Sequence, residues 1–242
     1  KFGAFITNTM MRNIIGQTKS AFDFGEVMQD GKILLMNLSK GLTGDINSKL
    51  LGMIIVSKLQ MAAMRRQTMA QEDRTDFYLY IDEFQNYVTD AIESILSEAR
   101  KYRLNLTMAH QYLGQLVHGQ DTSIKDAVLG NVGTLVSFRI GVEDASTIAQ
   151  IMAPVFGEYD LVNLERYNCN VKMLVNNTVQ RAFSMETYPA TQGSVEKAKL
   201  LRELSSRKYG RPKAEVESEI LERSKLGEAV KKADISEVER SL

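Results

Sequence analysis

The sequence is poor in several residues that define particular classes of protein. Its 242 residues include one cysteine, three prolines, two histidines and no tryptophan. The single cysteine, Cys169, cannot form an internal disulfide, which suits a reducing compartment. Thirty basic residues balance thirty acidic ones. The chain is therefore not a globally basic nucleic-acid binder, although a basic surface can still be local.

Long hydrophobic runs are also missing. The most apolar stretch, Leu50 to Met64, is interrupted by Lys58 and Gln60, and it is shorter than the roughly 20 residues that cross a bilayer. It predicts a buried amphipathic helix. Hydrophobic residues make up 44% and charged residues 25% of the chain, which is typical of a globular protein and excludes wholesale disorder. No signal-peptide pattern is found at the N-terminus. Because the first residue is Lys1 and not Met, we expect the chain to start inside a larger protein.

A phosphate-binding loop of the form G-x-x-x-x-G-K-[ST] is absent too. Gly31-Lys32 is the only Gly-Lys pair in the sequence. The preceding glycine, Gly25, lies one residue too far away, and Ile33 stands where the Mg²⁺-binding hydroxyl belongs. The pair also precedes an apolar run instead of following one. We therefore predict an ordinary turn at Gly31-Lys32.

Short apolar runs alternate with helical patterns along the chain. The runs predict strands at 32–38, 77–81, 104–109 and 133–140. A further pair of strands is predicted at 170–175 and 182–185, joined at Asn176-Asn177. Helical spacing predicts a weak helix within 1–20 and further helices at 23–28, 48–68, 89–102, 123–129 and 143–152. This alternation predicts an α/β fold with a mostly parallel sheet flanked by helices.

The composition changes near residue 190. Beyond it, charges of both signs intermix and apolar residues are isolated, with a break at Gly210-Arg211-Pro212. We therefore predict a globular domain over 1–190 and a charged helical tail over 191–242.

Polar side chains follow two of the predicted strands. Asp82 and Glu83 come directly after the run 77–81, and Gln111 follows the run 104–109. Because ligands bind at the carboxyl ends of parallel strands, these residues are expected to share a site. An apolar strand ending in Asp-Glu is the Walker B pattern of P-loop ATPases, in which Asp82 would bind Mg²⁺ and Glu83 would polarise a water. An acidic helix N-terminus is the alternative interpretation of the pair.

One arginine is a candidate for an interface between subunits. Arg100 lies on the predicted helix between the two strands, where it could reach the nucleotide of a neighbouring subunit. A surface ion pair with Glu98 or Glu93 is the alternative for it.

Several of these motifs together resemble one family, the conjugative DNA-transfer ATPases of type IV secretion, which are coupling-protein-like members of the HerA/FtsK group of motors. The resemblance rests on the segments Asn37-Leu38-Ser39-Lys40-Gly41 with Gly44, Asp82-Glu83-Phe84-Gln85, Ser97-Glu98-Ala99-Arg100-Lys101, Leu106 to Gln111, Asn131 to Arg139 with Asp144-Ala145, and Ser206 to Gly210. It covers almost the whole chain.

The resemblance implies a RecA-like motor domain that hydrolyses ATP with Mg²⁺ at the subunit interfaces of a ring, expected to be a hexamer, with DNA in the central channel. By residue, it implies Asp82 for Mg²⁺, Glu83 as catalytic base, Gln111 as the sensor of the γ-phosphate and Arg100 as the arginine finger between subunits. Arg139, on the next strand, is a second interface candidate beside the nucleotide. Other secretion-system components would be partners. The location would be cytoplasmic, at the inner face of the membrane, with any membrane anchor outside this chain.

The same resemblance places the phosphate loop upstream of Lys1, so the chain alone is not expected to bind or hydrolyse ATP normally. Two other functions remain open at this point. One is a non-enzymatic scaffold that kept the motor fold without its phosphate loop. The other is a related ATPase that powers protein secretion or pilus assembly.

Further features of the sequence give weaker hypotheses. His110, His118 and Cys169 cannot form a zinc site by their spacing. We expect a structural or surface role for His118 and a buried, inert thiol for Cys169. The basic groups Arg65-Arg66 and Arg207-Lys208 with Arg211 and Lys213 could contact DNA phosphates, or could simply be solvated helix ends.

Overall fold

The computed structural model describes residues 8–87, 95–96, 98–117 and 119–224. It divides into two compact units. One is Phe24–Thr191, and the other contains what is described of Lys1–Asp23 and Gln192–Leu242. The domain boundary that composition predicts near residue 190 stays a prediction, because contacts within a folded chain do not show which part folds independently.

The larger unit is built around two parallel strands. Strand β1 is Phe77–Ile81 and β2 is Leu104–Met108, and they pair in register from Phe77 opposite Leu104 to Ile81 opposite Met108. Both were predicted from apolar runs, and the prediction of an α/β fold with a parallel sheet is confirmed.

Helices precede and follow these strands, mostly where the sequence predicts them. In chain order they are α1 (Thr9–Ile15), α2 (Phe24–Gln29), α3 (Lys40–Thr43), α4 (Asp45–Arg65), α5 (Ser123–Asn131), α6 (Val142–Met152), α7 (Glu158–Val162), α8 (Val195–Tyr209) and α9 (Lys213–Ser224). The helix predicted at 89–102 lies largely outside the described residues, and its last residues, Ala99–Tyr102, form a 3-10 turn. Among the described residues, no helix is both long enough and apolar enough to cross a membrane.

The long helix α4 supplies much of the core. Its buried residues recur every three or four positions, as an amphipathic helix requires, and they include Val56, Leu59 and Ala63. They share one hydrophobic core with Ile81 of β1 and Leu104 of β2. This packing covers one face of the parallel pair and holds the two strands against α4.

A second sheet, in the same unit, is antiparallel. Strand β3 (Thr134–Ser137) pairs with β4 (Asn168–Val175), which also pairs with β5 (Thr178–Val179) and β6 (Phe183–Glu186). Asn176 and Asn177 both have positive φ, 49° and 63°, as the tight hairpin turn needs. The predicted pairing of 170–175 with 182–185 is confirmed by β4 and β6, whereas the turn at Asn176-Asn177 joins β4 directly to the short strand β5.

The prediction that the run 133–140 extends the parallel sheet is wrong. Within the described part of the chain, Thr134–Ser137 pairs only with β4, with Val136 opposite Val171. The hairpin that follows offers a partner strand, and an apolar run does not itself say which strand it will join.

The strand predicted at 32–38 is also wrong. Residues 32–39 have no regular secondary structure, and the side chains of Ile33 and Leu35 are 89% and 86% exposed. A strand needs a neighbour for its backbone groups, and among the described residues β1 pairs only with β2. The Ser48 hydroxyl on α4 donates to the Leu38 carbonyl, which attaches the end of the segment to that helix.

The smaller unit is held by helices α1 and α9. Met11 is fully buried, and Val216 and Ile220 are nearly so. The Asn13 amide donates to Glu217 at 3.0 Å. Helix α8 begins at Ser194, whose hydroxyl accepts from the Lys197 amide at 3.1 Å, a normal N-cap.

Candidate functional site

The carboxyl ends of β1 and β2 bring the predicted residues together. The ladder continues one step beyond the strands, since the Ala109 amide donates to the Ile81 carbonyl at 3.0 Å and the Phe84 amide donates to the Ala109 carbonyl at 3.1 Å. Glu83 and Gln111 therefore leave the sheet side by side. The sequence expectation that the two strands are neighbours is confirmed by this register.

Glu83 is held at a sharp turn. Its backbone is left-handed, with φ 51° and ψ 44°, a conformation that costs energy for any residue with a side chain. The Glu83 amide donates to the Asp82 carboxylate at 3.0 Å. Such outliers are found disproportionately at functional sites, and here the turn points both carboxylates away from the end of β1.

Two amide side chains clamp the Glu83 carboxylate. Gln111 donates from Nε2 to Oε1 at 2.5 Å, and Gln85 donates from Nε2 to Oε2 at 2.5 Å. These bonds, first that from Gln111 and then that from Gln85, lower the pKa of Glu83, and the charge of Lys40 adds to the effect. Glu83 is thus an oriented, ionised carboxylate. In the sequence, Gln85 is part of the motif Asp82-Glu83-Phe84-Gln85 but has no predicted role.

The loop after β2 is fixed by its own contacts. The Gln115 side chain accepts from the Gln111 amide at 3.0 Å, and the buried Asp144 carboxylate on α6 accepts from the Leu113 amide at 2.9 Å. His110 packs edge-on against Phe84 with ring centroids 5.4 Å apart. Burial lowers the pKa of His110, which favours its neutral form. The contact with Phe84 gives His110 a packing role, whereas His118, for which a structural or surface role is predicted, lies outside the described residues.

An open cleft of about 1020 Å³ runs beside these residues. Its walls are the segment 31–40, one face of α4 and strand β1, and its end carries Lys40, Asp82, Glu83 and Gln111. The Lys40 ammonium lies 2.9 Å from the Asp45 carboxylate, and this hydrogen bond raises the pKa of Lys40. No spacing rule had singled out Lys40 as a site residue.

Arg100 and Arg139 do not join this cluster. Arg100 is exposed on the 3-10 turn that precedes β2, so it lies at the opposite edge of the sheet, roughly 17 Å away along a five-residue strand. It cannot reach Glu83 of its own chain. Arg139 is exposed just after β3, in the antiparallel sheet. Their roles at a neighbouring subunit stay predictions.

The basic residues proposed for DNA contact have different surroundings. Arg66 is only 3% exposed, and its guanidinium donates to the Thr75 and Tyr102 carbonyls at 2.8 and 3.1 Å. The prediction is therefore wrong for Arg66, although the adjacent Arg65 is exposed. Arg211 in the smaller unit is paired through both terminal nitrogens with Glu219.

Comparisons with known proteins agree with the resemblance seen in the motifs. Two solved structures share 14% identity with the chain. One is the bacterial conjugative coupling protein TrwBΔN70 in an unbound monoclinic form, with a TM-score of 0.48 over 72% of this chain and 40% of that one. The other is the plasmid coupling protein TrwB with the non-hydrolysable ATP analogue ADPNP, with a TM-score of 0.45 over 60% and 36%. The chain thus spans about two fifths of the length of these proteins.

No curated protein matches the chain. A sequence model of the family described as "TraM recognition site of TraD and TraG" matches residues 76–204, more than half of the chain and all of the strands described above. On that match, the chain belongs to the TraG/TraD C-terminal family.

Proposed function

We propose that this chain is the catalytic-base half of a RecA-like, ATP-driven motor for conjugative DNA transfer. The observation that supports this best is the Glu83 carboxylate, held by a left-handed turn at the end of β1 and clamped by Gln85 and Gln111. A surface carboxylate at a helix N-terminus, which was the alternative, needs neither the strained turn nor two amide donors.

The donor set fits Mg²⁺ and a nucleoside triphosphate. Mg²⁺ prefers carboxylate and water oxygens, and one or two carboxylates suffice beside substrate phosphates. Asp82 and Glu83 provide such oxygens on adjacent residues, although no group of three or more His, Cys, Asp or Glu side chains gathers among the described residues, at this site or at another. When bound, the triphosphate supplies the phosphoryl group, and Mg²⁺ neutralises the charge that develops on it. Asp82 would hold the ion, directly or through water.

Glu83 would accept the proton of the attacking water. Its lowered pKa in the clamped state makes it a weak base, because both of its oxygens already accept hydrogen bonds. Release of the Gln111 amide would raise its basicity. Gln111 could then donate to a phosphate oxygen, which is the behaviour that the sensor role requires. Gln85 would keep Glu83 oriented meanwhile.

The phosphate loop would come from another segment of polypeptide. The backbone groups of Tyr78 and Tyr80 face the edge of β1 that has no strand partner among the described residues. This edge borders the cleft, whose opposite wall carries Ile33. We propose that an apolar strand pairs there and delivers the loop beside Asp82, as strands of a parallel sheet do. The apolar segment 32–38, which lines the cleft without regular secondary structure, supports the same arrangement.

The test is Glu83→Gln in the full-length protein. The variant keeps the shape of the side chain but cannot accept a proton, so it should bind ATP normally and lose turnover by about 10²- to 10⁴-fold. Glu72→Gln, an exposed position away from the cleft, is the matched control and should hydrolyse ATP at the normal rate. Steady-state hydrolysis retained by Glu83→Gln would refute the role of Glu83. Failure of the wild-type protein to bind ATP would favour the scaffold alternative.

Ring assembly, DNA and partner proteins belong to the same proposal. Arg100 faces away from its own site, at the edge where it could complete the site of a neighbouring copy in a hexameric ring. The name of the family suggests that a TraM-like protein is a partner, and the assembly would work at the cytoplasmic face of the inner membrane. Hydrolysis that DNA stimulates would distinguish DNA transfer from protein secretion or pilus assembly.

A further inference from the structure

A cluster of two lysines and one aspartate lies beside the candidate site. Lys40 on α3 and Lys49 on α4 both pair with Asp45, at 2.9 Å to Oδ1 and 3.1 Å to Oδ2. One negative charge is shared by two positive ones, so the cluster carries a net charge of about +1. All three side chains are roughly half exposed, which leaves the cluster open to an anion.

Only one of the two lysines faces the cleft. Lys40 lines it together with Asp82, Glu83 and Gln111, whereas Lys49, one turn along α4, does not. Lys40 and Glu83 are close enough that each stabilises the charged form of the other. The cleft therefore has a carboxylate end that suits a metal ion and, next to it, an ammonium group that suits a phosphate.

We propose, on the basis of the proposed function, that Lys40 binds the terminal phosphate of the nucleotide and makes the site prefer a triphosphate over a diphosphate. An ammonium group with three donors can contact phosphate oxygens as a point charge. The contact would replace the one that Lys40 makes with Asp45.

This exchange of partners is inexpensive. The Lys40–Asp45 pair is solvent-exposed, and pairs of that kind contribute little to stability. Asp45 also keeps Lys49 as a partner when Lys40 leaves, so no carboxylate is left unpaired. A phosphate near Glu83 would be repelled by the carboxylates of Asp82 and Glu83, and Lys40 is the cation in the lining of that end of the cleft that would offset this repulsion.

The experiment measures nucleotide binding, not activity. A fluorescent non-hydrolysable ATP analogue and the matching ADP analogue are titrated into the full-length protein and its Lys40→Ala, Lys40→Arg and Lys49→Ala variants. Lys40→Ala should weaken binding of the triphosphate about 10-fold, the loss expected for one charged hydrogen bond, and binding of the diphosphate by less than about 3-fold. Lys40→Arg should recover most of the loss, because it keeps the charge.

Lys49→Ala is the matched control, because it removes an equivalent exposed ion pair with the same aspartate. It should bind both nucleotides as the wild type does, and its thermal unfolding should match that of Lys40→Ala. Unchanged triphosphate affinity in Lys40→Ala, or an equal loss in Lys49→Ala, would overturn the role of Lys40 while Glu83 kept its own. A wild-type protein that binds neither analogue would overturn both proposals.

Discussion

Arg66 offers a test of how the parallel strands are held in place. Its guanidinium donates from one nitrogen to the carbonyl of Thr75, which precedes β1, and to the carbonyl of Tyr102, which precedes β2. It therefore joins the amino ends of the two strands whose carboxyl ends carry the site. Burial lowers the pKa of the Arg66 guanidinium, with a further contribution from the charge of Arg74.

The cost of removing this contact follows from its chemistry. Arg66→Met fills most of the same volume but has no donor, so two partly buried carbonyls lose a charged partner. Hydrogen bonds to charged groups are worth about 1.5–3 kcal/mol each. Both bonds share one nitrogen, and the other terminal nitrogen of Arg66 is buried without a partner in the described part of the chain. Because relief of that buried charge offsets part of the loss, we expect Arg66→Met to destabilise the larger unit by about 3 kcal/mol.

The measurement is amide hydrogen exchange in β1 and β2, together with urea unfolding followed by circular dichroism. The exchange data report on the larger unit alone. Arg65→Met is the control. Because Arg65 is exposed, its loss should change stability by no more than about 0.5 kcal/mol. If Arg66→Met were as stable as the wild type and instead bound DNA less tightly, the structural role would be wrong and the phosphate-binding interpretation right.

Two further predictions concern single backbone positions. At Glu83, whose φ is 51°, the glycine variant should have a Tm about 2–4 °C higher than the alanine variant, because only alanine keeps the left-handed strain. At Gln85, where φ is ordinary, the alanine variant should be the more stable of the two. The same ranking at both positions would contradict the strained turn. Gly52→Ala should destabilise α4 by about 1–3 kcal/mol in urea unfolding, because the new Cβ would lie 2.1 Å from the ring of Tyr87. Gly130→Ala is the control: its new Cβ meets no atom within 4 Å, so it should be neutral or stabilising. An equal change in unfolding free energy for the two variants would show that the ring of Tyr87 moves freely.

The parallel pair could be predicted because its signals are local. Each of the two apolar runs is bounded by polar residues, and a helical pattern lies between them, so the connection has to cross over the sheet. Once the strands are neighbours, their carboxyl ends must meet at one edge. This is why the sequence predicts that Glu83 and Gln111 lie close together. Their hydrogen bond depends on the orientation of the two side chains, which the sequence does not show.

The errors arise where a partner decides the structure. The segment 32–38 has the composition of a buried strand but pairs with no strand in the described part of the chain, so it has no regular secondary structure and is largely exposed. The run around Val136 has a similar composition and pairs with the following hairpin instead of the parallel sheet. Arg66 looks like a surface cation in the sequence, because nothing local shows that its side chain ends among backbone carbonyls.

Lys40 was missed for a related reason. It lies 43 positions before Glu83 in the sequence, and only the packing of α4 against β1 brings its short helix to the end of the strand. Its partner Asp45 is nearby in the sequence, which makes it look like half of an ordinary surface pair. Its proposed role rests instead on its place beside Glu83 in the lining of the cleft, which no periodicity in the sequence reports.

The contacts around the site also suggest how binding could be coupled to movement. Glu83 and Lys40 have partners within the chain, since Glu83 accepts from Gln85 and Gln111 and Lys40 pairs with Asp45. On the proposed function, a triphosphate must exchange two of these contacts, one from Gln111 and one from Lys40. Gln111 belongs to the loop that Gln115 and the buried Asp144 hold in place, so its exchange would pull on α6. The binding energy of the terminal phosphate would thereby reach the part of the chain that leads to the antiparallel sheet, whereas a diphosphate would leave both contacts intact.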